Sequence, residues 1–458
     1  MRSKKTLAIL MLAVAGACGT ALAALPPQPV QTCTIGGTIT GTHTLVYAGA
    51  TAVNVSINAA AANLYGPALS SCGGGINTYR GNQDTNNDGI YDTCVTMFIN
   101  AGRGSCEGVQ DMDLSSGNVN VCPATSGATT PVLASSLGLT VNVVASDVGA
   151  PLCGPVIGGF TRPSIWSGPG STETRAFVIP FAFIANKNLR NLLPASKVIP
   201  DPNPCPGGLA DCPRVDFSIS KDKAKGIYGN NDYCDWRYLD PAITDGGLGT
   251  PILGAVMRNR LSGTRNNFNV TMLETLGAGP GSIFVAGTGD VIARVNSNAW
   301  CGTNPTECGE SGPVIGGQTS PCQAIPTPNN PVSIGYVGTD RFNIVDPNTP
   351  LNPFDDYGVR KGTDNYDVLS YNGRQFNKSS VRCGEYEYWS YERMYFDPAV
   401  HTVGVRRNTV QQLIAQTTID AQTDPTVVTL TQMQVNRAQD GSPVFPSGPF
   451  NASICSQP

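Results

Sequence analysis

Histidine is nearly missing from this 458-residue chain, which holds only His43 and His401, and charged residues make up just 14% of it. Two isolated imidazoles leave little material for a histidine-built metal centre, and neither has an acid, base or nucleophile partner close in sequence. No Cys-x-x-Cys pair occurs, which removes the usual zinc spacing. Gly-x-Ser-x-Gly, His-Glu-x-x-His and haem-attachment strings are absent too, so nothing here points to an enzyme. After the first residues no apolar run reaches the roughly 20 residues a bilayer requires, so no transmembrane segment is expected in the mature chain. Basic residues are not in excess either: the net charge is −4. Nucleic acid and anionic membranes are therefore not expected partners.

What is present begins with an export signature. Arg2, Lys4 and Lys5 precede a mostly apolar stretch, and Ala21-Leu22-Ala23 supplies a small-x-small cleavage signal, so residues 1–23 read as a signal peptide with Ala24 as the mature start. An alternative makes Cys18 a lipidated cysteine after Ala15-Gly16-Ala17, with Ala15 standing where such motifs usually hold leucine. The mature protein is expected in the periplasm or outside the cell. Cysteine counting agrees: Cys18 falls in the leader and the other 14 of the 15 cysteines form an even set, enough for seven disulfides in an oxidising compartment. Cys205 with Cys212, and Cys301 with Cys308, are close enough to pair. Fifty-two glycines and 35 prolines describe a loop-rich globular chain.

The segment from Leu45 reads as a strand, a turn at Ala48-Gly49-Ala50-Thr51 and a helix. Apolar strands recur at Val95–Ile99 and Leu139–Ala145, with a long irregular insert from Cys106 to Val132, so the class is α/β. The run Phe177–Ala185 is too apolar for a loop and too short for a membrane span, and predicts a buried strand joining two lobes. Val332–Gly338 predicts its return partner. The aromatic cluster from Tyr386 to Phe396 reads as a helix packing on its lobe.

The most specific string is VMRNRLSGTRNNF, residues 256–268. Ser262-Gly263-Thr264 at a helix start turns amide and hydroxyl donors toward one point, and Arg258 adds a forked pair of charged donors, a set suited to an oxyanion. An arginine, three residues and Ser-Gly-Thr opening a helix resembles the phosphate-binding proteins of bacterial phosphate transporters. Further landmarks follow in that family's order. Gly49-Ala50-Thr51 is similar to its first loop, Gly104-Ser105-Cys106-Glu107-Gly108-Val109 to its second and Ala145-Ser146-Asp147 to its third. Lys221–Leu239, with Ile227, Tyr228, Gly229 and Trp236, resembles a further helix and turn, and Gly287–Asn296 followed by 333–338 resembles its last second-lobe helix and return strand.

The resemblance implies a two-lobed binding-protein fold of the second type, with residues 24–180 as the first part of lobe 1, 181–334 as lobe 2, and 335–458 as the rest of lobe 1 and a C-terminal extension. It implies phosphate or a similar oxyanion held by Thr51, Ala52, Ser105, Asp147, Arg258, Ser262, Gly263 and Thr264, and a transporter permease as partner. A secreted structural or adhesive protein that keeps the fold without tight binding is the rival reading. Arg260 and Leu261 depart from the family pattern, which has an acidic residue and a glycine there, so a carboxylate that would steady Arg258 is missing locally.

One motif is independent. Asp84, Asn86 and Asp88 alternate, Gly89 permits a sharp turn and Asp92 closes the string, as in calcium-binding loops; the metal set would be Asp84, Asn86, Asp88, Ile90 and Asp92. A plain Asn/Asp/Gly hairpin turn is the other reading. No cofactor is otherwise required.

Overall fold

The computed structural model describes residue 33 and residues 41–86, 88–89, 91–153, 173–199, 214–229, 233–245, 249–274, 282–302, 307–308, 330–345, 357–359, 364–402, 404–424, 426–448 and 455. The leader, the Cys205–Cys212 pairing and Ile90 lie outside them. The class is α/β, as the alternation of strands and helices predicts, and a 13-stranded mixed sheet organises it.

In the first part of the chain β1 (Gly41–Gly49) leads through a 3-10 turn into helix α1 (Asn54–Tyr65). Strand β2 (Ile76–Gln83) lies antiparallel to β3 (Thr93–Asn100), and β3 is parallel to β1. Helix α2 (Ser105–Asp113) follows, so the predicted irregular insert begins as a helix. Gly104 precedes it, and the Glu107 carboxylate accepts the Gly104 N–H at 2.9 Å, which serves an amide that the helix leaves unpaired. Strand β4 (Val143–Ser146) is parallel to β1 on the other side.

Strand β5 (Thr174–Asn186) is apolar along most of its 13 residues and buried on both faces, which is why no alternation marks it. The second part holds β6 (Leu253–Arg258), helix α3 (Gly263–Phe268), β7 (Ile283–Val285), helix α4 (Thr288–Asn296) and β8 (Val332–Gly338). Strand β6 runs parallel to both β7 and β8. Residues 334–338 of β8 pair antiparallel with residues 181–185 of β5, so the two strands predicted to join the lobes lie side by side.

Strand β9 (Tyr366–Tyr371) also pairs with the second half of β5. Strand β10 (Trp389–Phe396) pairs with the first half of β5 and with β4. The sheet order is β7-β6-β8-β5-β10-β4-β1-β3-β2. Finding β10 in the centre corrects the helical reading of the aromatic cluster. All eight of its residues are buried, and a strand covered on both faces has no period to betray it. Helix α5 (Val405–Asp420) then packs on α1.

Among the described residues two apolar clusters form the core. The larger runs from the α1 side of β1 and β4 through β5 to Trp236, Phe268 and Tyr336 in the second part. The smaller lies between the opposite sheet face and α2. Landmark residues serve the larger one: Trp236 donates from Nε1 to the Val332 carbonyl at 2.9 Å, and Phe268 stacks on Tyr336 with centroids 4.2 Å apart. Among the described residues disulfides join Cys33–Cys94, Cys72–Cys122, Cys106–Cys153, Cys301–Cys308 and Cys383–Cys455. The Cys301–Cys308 pairing is the one expected. No helix among these residues is long and apolar enough to cross a membrane.

Candidate functional site

Parallel strands leave their carboxyl ends on one edge, where loops and helix starts converge and α/β sheets place their ligands. On that edge β1 is followed by Thr51 and Ala52, β3 by Gly104 and Ser105, and β4 by Asp147. The second part contributes the end of β6 at Arg258, the start of α3 at Ser262–Thr264, and the segment after β7 at Ala286–Thr288.

Asp147 is the meeting point. It is 2% exposed, and it accepts the Ser105 hydroxyl on Oδ1 and the Thr264 hydroxyl on Oδ2, the latter at 2.8 Å. Three segments distant in sequence thus converge on one carboxylate. Burial pushes the Asp147 carboxyl above its ordinary range, against the two hydroxyl hydrogen bonds and the charge of Arg258, which pull it down.

Gly263 makes that approach possible. A Cβ there would lie 1.9 Å from Asp147 Oδ1 and 2.6 Å from Ser105 Cβ and Oγ. Gly49 plays a similar part under the first loop: its φ is +148°, and a Cβ would stand 2.2 Å from the Ala145 carbonyl. The Ala50 N–H donates to that same carbonyl at 3.0 Å. The Cys106–Cys153 disulfide ties the start of α2 to the turn that follows Asp147.

Arg258 is 4% exposed at the end of β6. Its Nε donates to the Ala286 carbonyl at 2.9 Å and its Nη1 to the Thr288 hydroxyl at 2.6 Å, which fixes the fork. Burial draws its pKa down, while Asp147, Tyr336 and Glu107 act to raise it. The steadying anion missing from the local string is therefore supplied from afar, by Asp147. Ser262 caps α3, accepting the Arg265 N–H at 3.3 Å. The Cys106 N–H donates to the Leu261 carbonyl at 3.1 Å, a further link between the two parts.

Of the residues singled out by sequence, Ser105, Asp147, Arg258, Ser262, Gly263 and Thr264 gather here. Thr51 and Ala52 lie on the same sheet edge, but among the described residues no hydrogen bond joins them to the Asp147 cluster. Sequence reasoning missed Thr288, and it missed Glu392 and Tyr47, two fully buried groups whose pKa values burial pushes up with the Asp147 charge adding to the effect. A glutamate inside the apolar run WSYERMYF was the available signal.

The second motif forms a turn. Asp84 accepts the N–H groups of Asn86, Asp88 and Gly89, and Asp92 accepts the N–H and hydroxyl of Thr85. Among the described residues no three acidic, histidine or cysteine groups converge as metal ligands. Both carboxylates therefore accept hydrogen bonds from the loop itself.

The histidines do have a partner, each other. His43 Nε2 and His401 Nδ1 are 3.1 Å apart and buried, and burial lowers their pKa values to about 4 and about 3.

No protein-family model matches the chain, and no curated protein matches it. Solved structures do. One is a phosphate ABC transporter substrate-binding protein with bound phosphate from Clostridium perfringens, at 11% identity and TM-score 0.42, covering 85% of this chain and 100% of that one. An ABC-type phosphate transport receptor from Vibrio cholerae has 10% identity and TM-score 0.37, covering 84% and 100%. A possible phosphate-binding protein from Planctomyces limnophilus has 9% identity and TM-score 0.32, covering 81% and 86%. Identities near a tenth and TM-scores below 0.5 leave the functional reading to the chemistry of the site.

Proposed function

We propose that this protein is an exported solute-binding protein that captures a tetrahedral oxyanion, phosphate first among them, where its two parts meet at Asp147. The observation that carries the reading is a buried carboxylate that gathers hydroxyls from both parts, with a buried arginine whose charge acts on it. An ionised carboxylate only accepts hydrogen bonds, while a fixed guanidinium donates, so the set suits an anion that still carries a proton. Ligand contacts available only when both parts meet would drive closure. Each hydrogen bond to a charged group contributes about 1.5–3 kcal/mol, so several reach the roughly −8 kcal/mol of micromolar binding. The disulfides accord with an oxidising compartment, and a transporter permease is the proposed partner.

Isothermal titration of the purified mature chain with phosphate, sulfate, arsenate and molybdate tests this. Phosphate and arsenate should bind with micromolar or tighter affinity. The absence of heat and of thermal stabilisation with every oxyanion would overturn the reading in favour of a secreted structural protein that keeps the fold.

A further inference from the structure

Glu392 is fully buried in the centre of the sheet, and neither of its carboxyl oxygens has a hydrogen-bond partner among the described residues. An acid left so in a core calls for an explanation. It stands where the β5–β10 ladder shifts register, between Glu392 and Arg393. On the other side Arg393 is opposite Ser146 and Met394 opposite Ala145. The ladder ends there, and Glu392 and Asp147 are the next residues on the two chains beyond its last pair.

The charged and titratable groups around it are Asp147 after β4, Tyr47 on β1, Asp340 in the turn after β8, and Arg393 on its own strand. The nearby cation is not turned to it: Arg393 donates to Asp440, Glu173, the Tyr391 carbonyl and Ser390. The Tyr47 hydroxyl is also without a partner among the described residues. Asp147 has collected the donors and Glu392 has none, so of two neighbouring buried carboxyls the proton belongs on Glu392. Burial, reinforced by the Asp147 charge, holds its carboxyl well above the usual range.

We infer that Glu392 is a neutral carboxylic acid that serves the anion site as a hydrogen-bond donor, the counterpart of the acceptor Asp147, and that this pair selects an oxyanion bearing one proton. The inference rests on the oxyanion reading above. The ligand's hydroxyl would donate to Asp147, and an unprotonated ligand oxygen would accept the Glu392 proton. A fully ionised anion satisfies only half of such a pair.

Two measurements on the full mature chain test it. Infrared difference spectra of ligand-free wild type and Glu392→Gln at neutral pH should reveal a protonated-carboxyl carbonyl band that the variant lacks. Phosphate titrations across the alkaline range should show wild-type affinity falling as Glu392 ionises, a fall absent from Glu392→Gln, which keeps a neutral donor. Glu392→Ala should weaken phosphate at least tenfold at neutral pH. No Glu392-dependent band, a Gln variant binding phosphate more than tenfold tighter, or an Ala variant with wild-type affinity would each overturn the inference. A wild type that binds no oxyanion overturns the functional reading and the donor role together, while the ligand-free infrared band still decides the charge state of Glu392.

Discussion

Replacing Asp147 by asparagine changes its chemistry with little change of shape. The wild-type carboxylate accepts hydroxyls from Ser105 and Thr264, and with about four lone-pair sites it has room for a ligand hydroxyl as well. Phosphate carries a proton near neutral pH and sulfate does not, so sulfate forgoes a hydrogen bond to a charged group, about 1.5–3 kcal/mol or roughly ten- to a hundredfold in affinity. Like-charge repulsion in a buried site widens the gap. Asparagine can donate as well as accept, so Asp147→Asn should narrow the phosphate-to-sulfate ratio by about that same ten- to hundredfold, mainly through tighter sulfate. Acid should imitate the mutation. Because burial raises the Asp147 pKa, wild-type sulfate affinity should climb as pH falls through it, while the variant stays flat. Titration calorimetry with both anions over a pH series is the assay, with melting curves confirming that the variant folds. Equal wild-type curves for phosphate and sulfate would refute the role given to Asp147.

Gly263→Ala places a methyl 1.9 Å from Asp147 Oδ1; phosphate affinity should fall at least a hundredfold and denaturant melts should show a loss of about 1–3 kcal/mol, whereas wild-type affinity would refute the close packing. The His43–His401 pair sets an acid limit. The unfolded chain takes up these protons near pH 6.5 while the folded imidazoles resist to about 4 and about 3. Their contribution is therefore complete above pH 6.5 and lost as pH falls toward 3, at up to about 1.4 kcal/mol per pH unit per histidine. The melting temperature of wild type should drop more steeply over that window than that of His401→Gln. Calcium at the 84–92 loop is a proposal with a simple check: a chelator should lower the melting temperature and Asp88→Ala should erase the difference, and an unmoved curve leaves a turn stabilised by Asp84 and Asp92.

Much of the site was legible locally. A strand ending in Gly49-Ala50-Thr51 before a helix, and Ser262-Gly263-Thr264 opening another, are short-range patterns, because turns and helix starts are decided by residues a few places apart. The Cys301–Cys308 pairing was readable for the same reason. The β5 and β8 strands announced themselves by unbroken apolar runs. β10 gave the opposite impression, since its buried aromatics carry no alternation and a strand covered on both faces needs none.

What the sequence alone determined is the set of local conformations and the types of donor and acceptor available. Which of them meet was decided by the tertiary structure. Asp147 and Thr264 are 117 residues apart, and His43 and His401 are 358 apart. The sheet ladder also ties Arg393 to Ser146 across the chain, which leaves Glu392 and Asp147 as the next residues beyond its last pair. Burial then sets the charge states, because the cost of ionising a carboxyl or an imidazole depends on the water removed around it and the groups brought against it, and neither is written in the residues on either side.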